Sequence, residues 1–154
     1  MRDSFDEVDL SILRLLQENG RITNAELARR VGLSPPSVLQ RVRKLEDQKL
    51  ITGYTALLNR EAMGFGLVVI AMVSLALHQE QAIDRFRKAV RSIPEVLECL
   101  HVSGDFDFLL KIVVKDMKAY EKFIREKLSA IKGVGKIQSC FVLAENKQTT
   151  ELPI

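Results

Sequence analysis

The stretch that decides the fold is TNAELARRVGLSPPSVLQRVRKL, residues 23–45, because its pattern predicts two helices joined by a very short turn. Thr23 and Glu26 have the spacing of a capping box, and Gly32 is suited to end that helix in a left-handed conformation. Ser34 is the next N-cap candidate, and the two prolines after it occupy first-turn positions where no backbone donor is lost. Two helices joined by a turn of about three to four residues predict a helix-turn-helix.

The later of these two helices, the third in the chain, has two chemically different faces. Val38, Val42 and Leu45 recur at helical spacing and form an apolar stripe, which we expect to be buried. A second face at similar spacing consists of Ser37, Gln40, Arg41 and Lys44. A hydroxyl, an amide and long cations are groups that contact base edges and phosphates in a major groove. An ordinary amphipathic surface helix is the alternative, and the tight turn before the helix favours DNA binding.

The flanking sequence completes a small helical domain. Asp6 is an N-cap candidate, and an apolar pattern with helical spacing follows it. Residues 50–58 are rich in β-forming residues around a central glycine, which predicts a wing and then a strand that leads out of the domain. We therefore predict a winged helix-turn-helix over residues 1–52 and a linker strand and hinge over residues 53–64.

Charge is unevenly distributed, although the net charge of the 154 residues is only +3. Residues 1–20 carry five acidic and two basic side chains, whereas residues 21–49 carry seven basic and three acidic ones. A local basic patch is the electrostatic feature expected of a phosphate-binding face, and a solvated helix face is the alternative. The basic excess falls on the predicted helix-turn-helix.

Composition excludes several classes of protein. With 47% hydrophobic and 28% charged residues the chain can bury a core, which excludes disorder as its main state. The longest apolar run, residues 66–77, is shorter than the roughly 20 residues of a membrane helix, and the N-terminus is acidic, unlike a signal peptide. Cys99 and Cys140 have no metal-ligand spacing around them. We expect a cytoplasmic protein without a metal or cofactor.

The rest of the chain repeats one pattern twice. Leu67 to Leu77 predicts a strand, followed by a helix pattern and a strand at Val96 to Ser103. The pattern restarts with a strand at Phe106 to Val114, a second helix stripe and a last strand at Ile137 to Leu143. Two βαβ halves predict an α+β domain over residues 65–154, a ferredoxin-like βαββαβ sheet with both helices on one face.

The other face of this sheet has no helix to cover it. Because the strands are so apolar, we expect this face to meet another subunit, which makes the chain an oligomer. We place Val69 and Ala71 of the first strand at that interface.

Between the two halves lies the loop Ser103-Gly104-Asp105-Phe106-Asp107. Gly-Asp is a hairpin-turn signal, which explains Gly104 but not Asp107. A carboxylate in an apolar strand is costly to bury unless it faces water or a cation. The ammonium group of a free amino acid is such a cation, and the backbone N–H groups of a glycine-containing loop can receive its carboxylate. An amino-acid site and a solvated strand end are both compatible with this loop.

Five motifs occur along the chain. They are Asp9-Leu10-Ser11-Ile12-Leu13, Gly32-Leu33-Ser34-Pro35, Arg41-Val42-Arg43-Lys44-Leu45-Glu46, Gly53-Tyr54-Thr55-Ala56 and Ser103-Gly104-Asp105-Phe106-Asp107. In this order and spacing they resemble the Lrp/AsnC family, the leucine-responsive and asparagine-synthesis (feast/famine) transcriptional regulators of bacteria and archaea. The resemblance covers almost the whole chain and is greatest to the leucine-responsive branch.

The resemblance implies a sequence-specific DNA-binding regulator whose assembly or DNA binding responds to a small amino acid, with leucine or methionine favoured. It also implies dimers formed through the sheets, commonly four dimers in a ring, with the effector between dimers near the Gly-Asp loop. The third helix, Ser34 to Lys49, becomes the recognition helix. The candidate DNA contacts are Ser34, Pro36, Ser37, Gln40, Arg41, Arg43 and Lys44.

The same resemblance makes the Gly-Asp loop part of an effector site. The candidate effector contacts are His101, Ser103, Gly104, Asp105, Phe106, Asp107 and Met117. Asp107 is then expected to bind the ammonium group of the effector amino acid. His101 and Met117 match positions that line the pocket in the leucine-sensing branch. That branch has an aliphatic residue at the position of His101. Without the resemblance, we interpret His101 as a hydrogen-bonded histidine at a strand end and not as a ligand-binding residue.

An enzyme on the same fold is the alternative function, because sirohaem decarboxylases resemble these regulators over both domains. An enzyme does not need a polar, basic recognition face, whereas a groove-reading protein does. The sequence shows no nucleophile with a neighbouring base, no metal-ligand spacing and no phosphate-binding loop, and His78 fits an exposed turn. We therefore expect a regulator that is not an enzyme.

Overall fold

A computed structural model describes residues 5–77 and 79–154 of the protein, which divide into two compact units. The helical unit extends to Leu57 and also includes Lys147–Ile154, whereas the sheet unit is Leu58–Asn146. The last eight residues, which we expected in the sheet domain, group with the helices because backbone groups at the end of the chain bond to the first helix. The turn expected at His78 lies outside the described residues.

Three helices form the core of the helical unit, and each begins at the cap that its sequence predicts. They are α1 (Glu7–Glu18), α2 (Asn24–Val31) and α3 (Pro35–Asp47). Their N-caps are, in the same order, Asp6, Thr23 and Ser34. Each cap side chain accepts a backbone N–H from the first turn, which would otherwise lack a partner. The predicted stripe of Val38, Val42 and Leu45 is buried between the helices, as expected.

Gly32 makes the sharp turn between α2 and α3 possible. Its φ angle is 71°, in the left-handed region that costs residues with a side chain about 1–2 kcal/mol. The N–H groups of Gly32 and Leu33 both donate to the Ala28 carbonyl and so end α2. Ser34 caps the next helix immediately, which confirms the predicted helix-turn-helix.

The segment after α3 differs from the predicted wing and linker strand. Between α3 and Leu67 the structure assigns no strand, so the strand expected over residues 50–58 is not formed in the single chain. The N–H groups of Leu50 and Ile51 instead donate to the Leu45 carbonyl at the end of α3. A β-strand forms only when its backbone pairs with a neighbouring strand, and this segment has no such neighbour among the described residues of the single chain. Leu57, in this unpaired stretch, is 82% exposed.

The sheet unit is a four-stranded antiparallel sheet with two helices packed on one face. Its elements are β1 (Leu67–Leu75), α4 (Glu80–Arg91), β2 (Val96–His101), β3 (Phe108–Val114), α5 (Met117–Phe123) and β4 (Val134–Phe141). The strand order β2-β3-β1-β4 places the first strand in the middle, paired with β3 on one side and β4 on the other. The predicted α+β class and the ferredoxin-like βαββαβ order are confirmed.

The second helix of this unit changes its winding along its length. After α5 the chain continues as a π-helical turn, Ile124–Leu128, which the N–H of Ser129 closes on the Ile124 carbonyl at 2.9 Å. Leu128 at its end is fully buried in the core. The predicted second helix of this unit is therefore one continuous segment that is α-helical up to Phe123 and π-helical from Ile124 to Leu128.

The two faces of β1 differ in what covers them. Val69 and Ala71 are fully buried beneath α4 and α5. Ile70 and Met72 alternate with them and point to the opposite face, which we call the outer face. The expectation that Val69 and Ala71 face another subunit is wrong, because the alternation of side chains along a strand assigns both to the core.

We expect Met72→Asp to dissociate any oligomer formed through the outer face, because it puts an unpaired charge into an apolar surface. Ala71→Asp, one residue away, should unfold the sheet unit, since Ala71 has no exposed surface. Solution mass measured together with circular dichroism separates the two outcomes. An obligate dimer can lose structure on dissociation, but a folded Met72→Asp protein with the parent's mass would show that this face makes no interface.

Candidate DNA-binding and effector-binding sites

The polar side of α3 is accessible to solvent. The exposed members of the predicted contact set are Ser34, Pro36, Gln40, Arg43 and Lys44. Ser37 is half-buried, and its hydroxyl lies 2.8 Å from the hydroxyl of Ser34. The contact residues within the helix lie opposite the buried stripe, so packing of the core determines which side of α3 is available to a partner.

Arg41 has a structural contact that the sequence did not indicate. Its Nη1 lies 2.7 Å from Asp9 Oδ1 and 2.8 Å from Asp6 Oδ2, which joins α3 to the beginning of α1. Asp9 is only 2% exposed, so Arg41 is the counter-ion of a buried carboxylate. This pairing holds α3 against α1, and because the Arg41 side chain is still 32% exposed, its DNA contact stays a prediction.

Asp6 and Asp9 form a reciprocal capping box beside Arg41. The N–H of Asp9 donates to Asp6 Oδ1 at 2.9 Å, and the N–H of Asp6 donates to Asp9 Oδ2 at 3.2 Å. The Asp9 backbone N–H and, after it, Arg41 hold the pKa of Asp6 below its usual value of 3.8. The hydrogen bonds to Asp9 and then to Asp6 raise the pKa of Arg41. Asp6 and Arg41 are therefore both charged at neutral pH.

Two further cations of the basic segment are paired with Glu26. Arg29 donates to its carboxylate at 2.6 Å and 2.9 Å, and Arg30 donates at 2.9 Å. Arg29, followed by Arg30, lowers the pKa of Glu26 to about 2. Thr23 caps α2 as predicted, but the Glu26 side chain binds these arginines and does not complete the predicted capping box. Arg29 and Arg30 are therefore both held on a carboxylate of their own helix.

Asp107 fastens the loop between β2 and β3 to the central strand. The N–H of Leu75 donates to Asp107 Oδ2 at 2.7 Å. The N–H of Asp107 donates to the Val73 carbonyl at 2.9 Å, and the N–H of Val102 donates to the Asp107 carbonyl at 3.0 Å. The half-buried carboxylate just before β3 is therefore explained by a structural contact, which the sequence did not indicate.

Phe106 and Asp105 also contact neighbouring strands. Lys136 of β4 lies with its Nζ 5.7 Å from the centre of the Phe106 ring, a cation–π arrangement. The Ser74 hydroxyl donates to the Asp105 carbonyl at 3.3 Å. Lys136 is absent from the predicted site because it stands opposite Ser74 through strand register, which no local motif reveals.

His101 ends β2 with its polar contact directed to α4. Its ring stacks on Phe108 with the centres 4.8 Å apart, and its Nδ1 lies 3.0 Å from Arg87 Nη2. Because arginine can only donate, Nδ1 is the acceptor, and the proton of this tautomer is on Nε2. A cavity of about 340 Å³ beside the ring is also lined by Arg91 and Cys99, and it includes no residue of the 103–107 loop.

Met117 lies at the other end of β3 from that loop. It lines a cavity of about 740 Å³ together with Tyr120, Ile124 and Ser139, and the Tyr120 and Ser139 hydroxyls are 2.6 Å apart. The seven residues of β3 span roughly 20 Å. A single small ligand therefore cannot contact both Met117 and the 103–107 loop of the same chain. The predicted effector residues are not brought together within one subunit.

Within residues 5–77 and 79–154, no group of three or more His, Cys, Asp or Glu side chains is placed to hold a metal ion. None of the helices in that part of the chain combines the length and apolar character that crossing a bilayer requires. Cys99 and Cys140 are separate, exposed thiols.

Two domain families match the chain in the order that the fold suggests. Residues 5–52 match the family described as winged helix-turn-helix DNA-binding, and residues 68–152 match the Lrp/AsnC ligand binding domain. A DNA-binding domain followed by a ligand-binding domain defines the class of effector-responsive transcriptional regulators.

Full-length similarity identifies the family within this class. The leucine-responsive regulatory protein of Escherichia coli K12 is 45% identical over 149 residues, which cover 97% of this chain and 91% of that protein. A Neisseria meningitidis transcriptional regulator in complex with L-methionine is 43% identical, with a TM-score of 0.93 and 97% and 96% of the two chains covered. An AsnC family regulator from Agrobacterium tumefaciens is 36% identical, with a TM-score of 0.91 and 97% of each chain covered. The chain belongs to the Lrp/AsnC family of transcriptional regulators, and the sirohaem-decarboxylase alternative is not favoured.

We expect Arg41→Ala to destabilise the helical unit by about 2–4 kcal/mol, because it leaves the Asp9 carboxylate buried without its counter-ion. Arg43→Ala is the matched control: Arg43 is an exposed arginine of the same helix, and its loss should change stability by less than about 0.5 kcal/mol. Chemical denaturation of both variants at one pH and salt concentration measures the difference. Equal stabilities would mean that the Arg41 ion pair does not hold α3.

Proposed function

We propose that this protein is a cytoplasmic transcriptional regulator that binds operator DNA through α3 and responds to leucine or methionine. The observation that carries the proposal is the exposed polar side of α3, which follows the Gly32 turn and is held in place by Arg41. In this proposal residues 1–52 bind DNA and residues 53–64 form the hinge to the effector domain. Its relatives are named as regulators, which supports a role without catalysis.

In the proposed complex α3 lies in the major groove. Gln40 contacts a base edge, because an amide side chain can donate to and accept from the same adenine. Arg43 and Lys44 neutralise phosphates. The beginning of the helix approaches the sugar-phosphate backbone with Ser34, Pro36 and Ser37. Arg41 contributes through the position that it imposes on α3.

Gln40→Ala should weaken specific binding by about 1–3 kcal/mol and relax the preference at one base pair, whereas Arg43→Ala should lower the slope of log affinity against log salt by about one. Lys88→Ala, which removes an exposed cation of α4, is the control and should change neither quantity. The measurement is fluorescence anisotropy in a salt series, with duplexes selected from a random pool. Parent-like binding by the double variant Gln40→Ala, Arg43→Ala would refute the proposed groove contact.

The effector amino acid is held at the 103–107 loop in this proposal. Asp107, whose carboxylate also receives the Leu75 N–H, supplies the negative charge that binds its ammonium group. The effector carboxylate meets the backbone of Ser103, Gly104 and Asp105. Lys136, beside Phe106, adds a positive charge at the same end of the sheet. A half-buried site strengthens each of these charge-assisted contacts.

A second subunit completes the effector site. Because Met117 and the 103–107 loop lie at opposite ends of β3, both can contact one ligand only if they come from different chains. The cavity beside Met117 has the apolar character that suits the side chain of leucine or methionine. We propose dimers through the outer face, and four dimers in a ring with the effector between them. His101 ends β2 just before this loop, and its ring is hydrogen-bonded to Arg87.

Asp107→Asn retains an acceptor for the Leu75 N–H but removes the charge. Effector binding should weaken by the roughly 1.5–3 kcal/mol of a charge-assisted hydrogen bond, about 10- to 150-fold, and effector-free DNA binding should stay near the parent value. Asp105→Asn, at the exposed carboxylate of the same loop, is the matched control and should have the smaller effect. Calorimetric titration with the twenty amino acids provides the affinities.

Three results would contradict this site. If no amino acid binds the parent protein, the sensing function is refuted. Equal affinity of one amino acid for the parent and for Asp107→Asn places the site elsewhere. A preference for a polar or basic amino acid would contradict an aliphatic effector and would assign a specificity role to His101.

A further inference from the structure

The chain passes between its two units twice, and an ion pair joins the two passages. The first passage follows Leu57 and the second follows Asn146. Arg60 lies just inside the sheet unit at the first passage, and Glu145 lies just inside it at the second. Arg60 Nη2 and Glu145 Oε2 are 2.7 Å apart. The two segments that leave the sheet unit are therefore fastened to each other at its boundary.

Glu145 is also fastened to the sheet itself. Lys111 of β3 donates to Glu145 Oε1 at 3.0 Å, and Arg60 Nη1 donates to the Phe65 carbonyl at 3.2 Å. The side chains of Lys111 and Glu145 are 23% and 21% exposed, so water screens this pair less than a fully exposed one. The hydrogen bonds from Arg60 and then Lys111 hold the pKa of Glu145 below its usual range, so the anchor is ionised at neutral pH.

The end of the chain is docked on α1. The N–H of Leu152 donates to Gln17 Oε1 at 2.6 Å, and Gln17 Nε2 donates to the Leu152 carbonyl at 3.2 Å. One amide side chain thus satisfies both backbone groups of one residue. Arg14, one helical turn before Gln17, donates from Nε to the Ile154 carbonyl at 2.7 Å. Residues 152–154 are fixed along α1 at two successive turns.

We propose that residues 142–154, here named the C-terminal strap, transmit effector binding from the sheet unit to the DNA-binding helices. The inference rests on the proposed function and adds the physical route of regulation. Only the six residues 146–151 separate the anchor at Glu145 from the anchor at Leu152. At about 3.3–3.6 Å per residue this connection limits the separation of the two anchors to roughly 25 Å, so a larger displacement of one anchor must move the other.

Both ends of the strap adjoin residues of the proposed sites. β4, which leads into the strap, carries Lys136 beside the 103–107 loop and Ser139 of the Met117 cavity. α1, on which the strap ends, carries Asp9, the counter-ion of Arg41 in α3. A ligand that favours one position of β4 biases the strap, α1 and the recognition helix in turn, and DNA must bias effector binding equally in return.

The test compares four proteins: the parent, a chain that ends at Asn146, Gln17→Ala, and the control Gln148→Ala. Gln148 lies within the strap and makes no hydrogen bond among the described residues. For each protein, calorimetry measures binding of leucine or methionine without DNA, and anisotropy measures DNA affinity with and without that amino acid.

We expect effector affinity and effector-free DNA affinity to stay within about twofold of the parent in all three variants. The quantity that should change is the ratio of DNA affinities with and without effector, because this ratio is the coupling between the sites. A parent ratio of about tenfold should fall below about threefold in the shortened chain and in Gln17→Ala. Gln148→Ala should keep the parent ratio.

A parent-like ratio in the shortened chain overturns the strap and leaves the proposed function intact. A lower effector-free DNA affinity with the ratio retained also overturns it, because residues 147–154 would then only support the helical unit. If the shortened chain does not fold, Gln17→Ala decides between the same outcomes. A parent protein that responds to no amino acid refutes the proposed function, and the strap with it.

Discussion

The ion pair between Arg41 and Asp9 is the contact on which the helical unit depends. Asp9 is the one buried charged side chain among the described residues, and a buried carboxylate without a counter-ion costs several kcal/mol. Satisfying it requires α3 to bring Arg41 to the beginning of α1. With that residue turned inward and the stripe of Val38, Val42 and Leu45 in the core, the side of α3 that carries Gln40 and Arg43 must face solvent. A structural charge thus determines which side of α3 faces solvent.

Alternation along the central strand has the corresponding role in the sheet unit. One set of β1 side chains is enclosed by α4 and α5, and the other set, which includes Ile70 and Met72, lies on the outer face. At its end, β1 donates the Leu75 N–H to Asp107, which fixes the end of the 103–107 loop. The core, the outer face and the 103–107 loop therefore all contact β1. A shift of β1 caused at one of these three places also changes the other two.

Features encoded by residues close in sequence were predictable. The caps Asp6, Thr23 and Ser34 act on backbone groups within three residues, and Gly32 acts on its own φ angle, so local patterns place all three helices. The repeated strand–helix–strand pattern likewise predicts the sheet order. The strand expected over residues 50–58 was wrong because β-forming residues indicate a tendency to pair but do not supply a partner.

Contacts between distant residues were not predictable. Arg41 reaches Asp9 and Asp6 across 32 and 35 residues, and no motif distinguishes it from the neighbouring Lys44. Lys136 reaches Phe106, and His101 reaches Arg87, through strand register and helix packing. For the same reason the candidate effector residues, which the motif presents as one set, divide between opposite ends of β3. Their chemistry was visible in the sequence, but their partners depend on the folded arrangement.

The attachment of the chain end to α1 also has an evolutionary consequence. Gln17 contacts only the main-chain N–H and carbonyl of Leu152, so the identity of the side chain at that position is immaterial to the contact. Proline alone is excluded there, since it has no N–H, and the proline of this segment stands one residue later, at Pro153. The terminal sequence is therefore free to diverge among relatives while the attachment persists. Selection on the attachment would therefore act on Gln17 of α1 and not on the side chain at position 152.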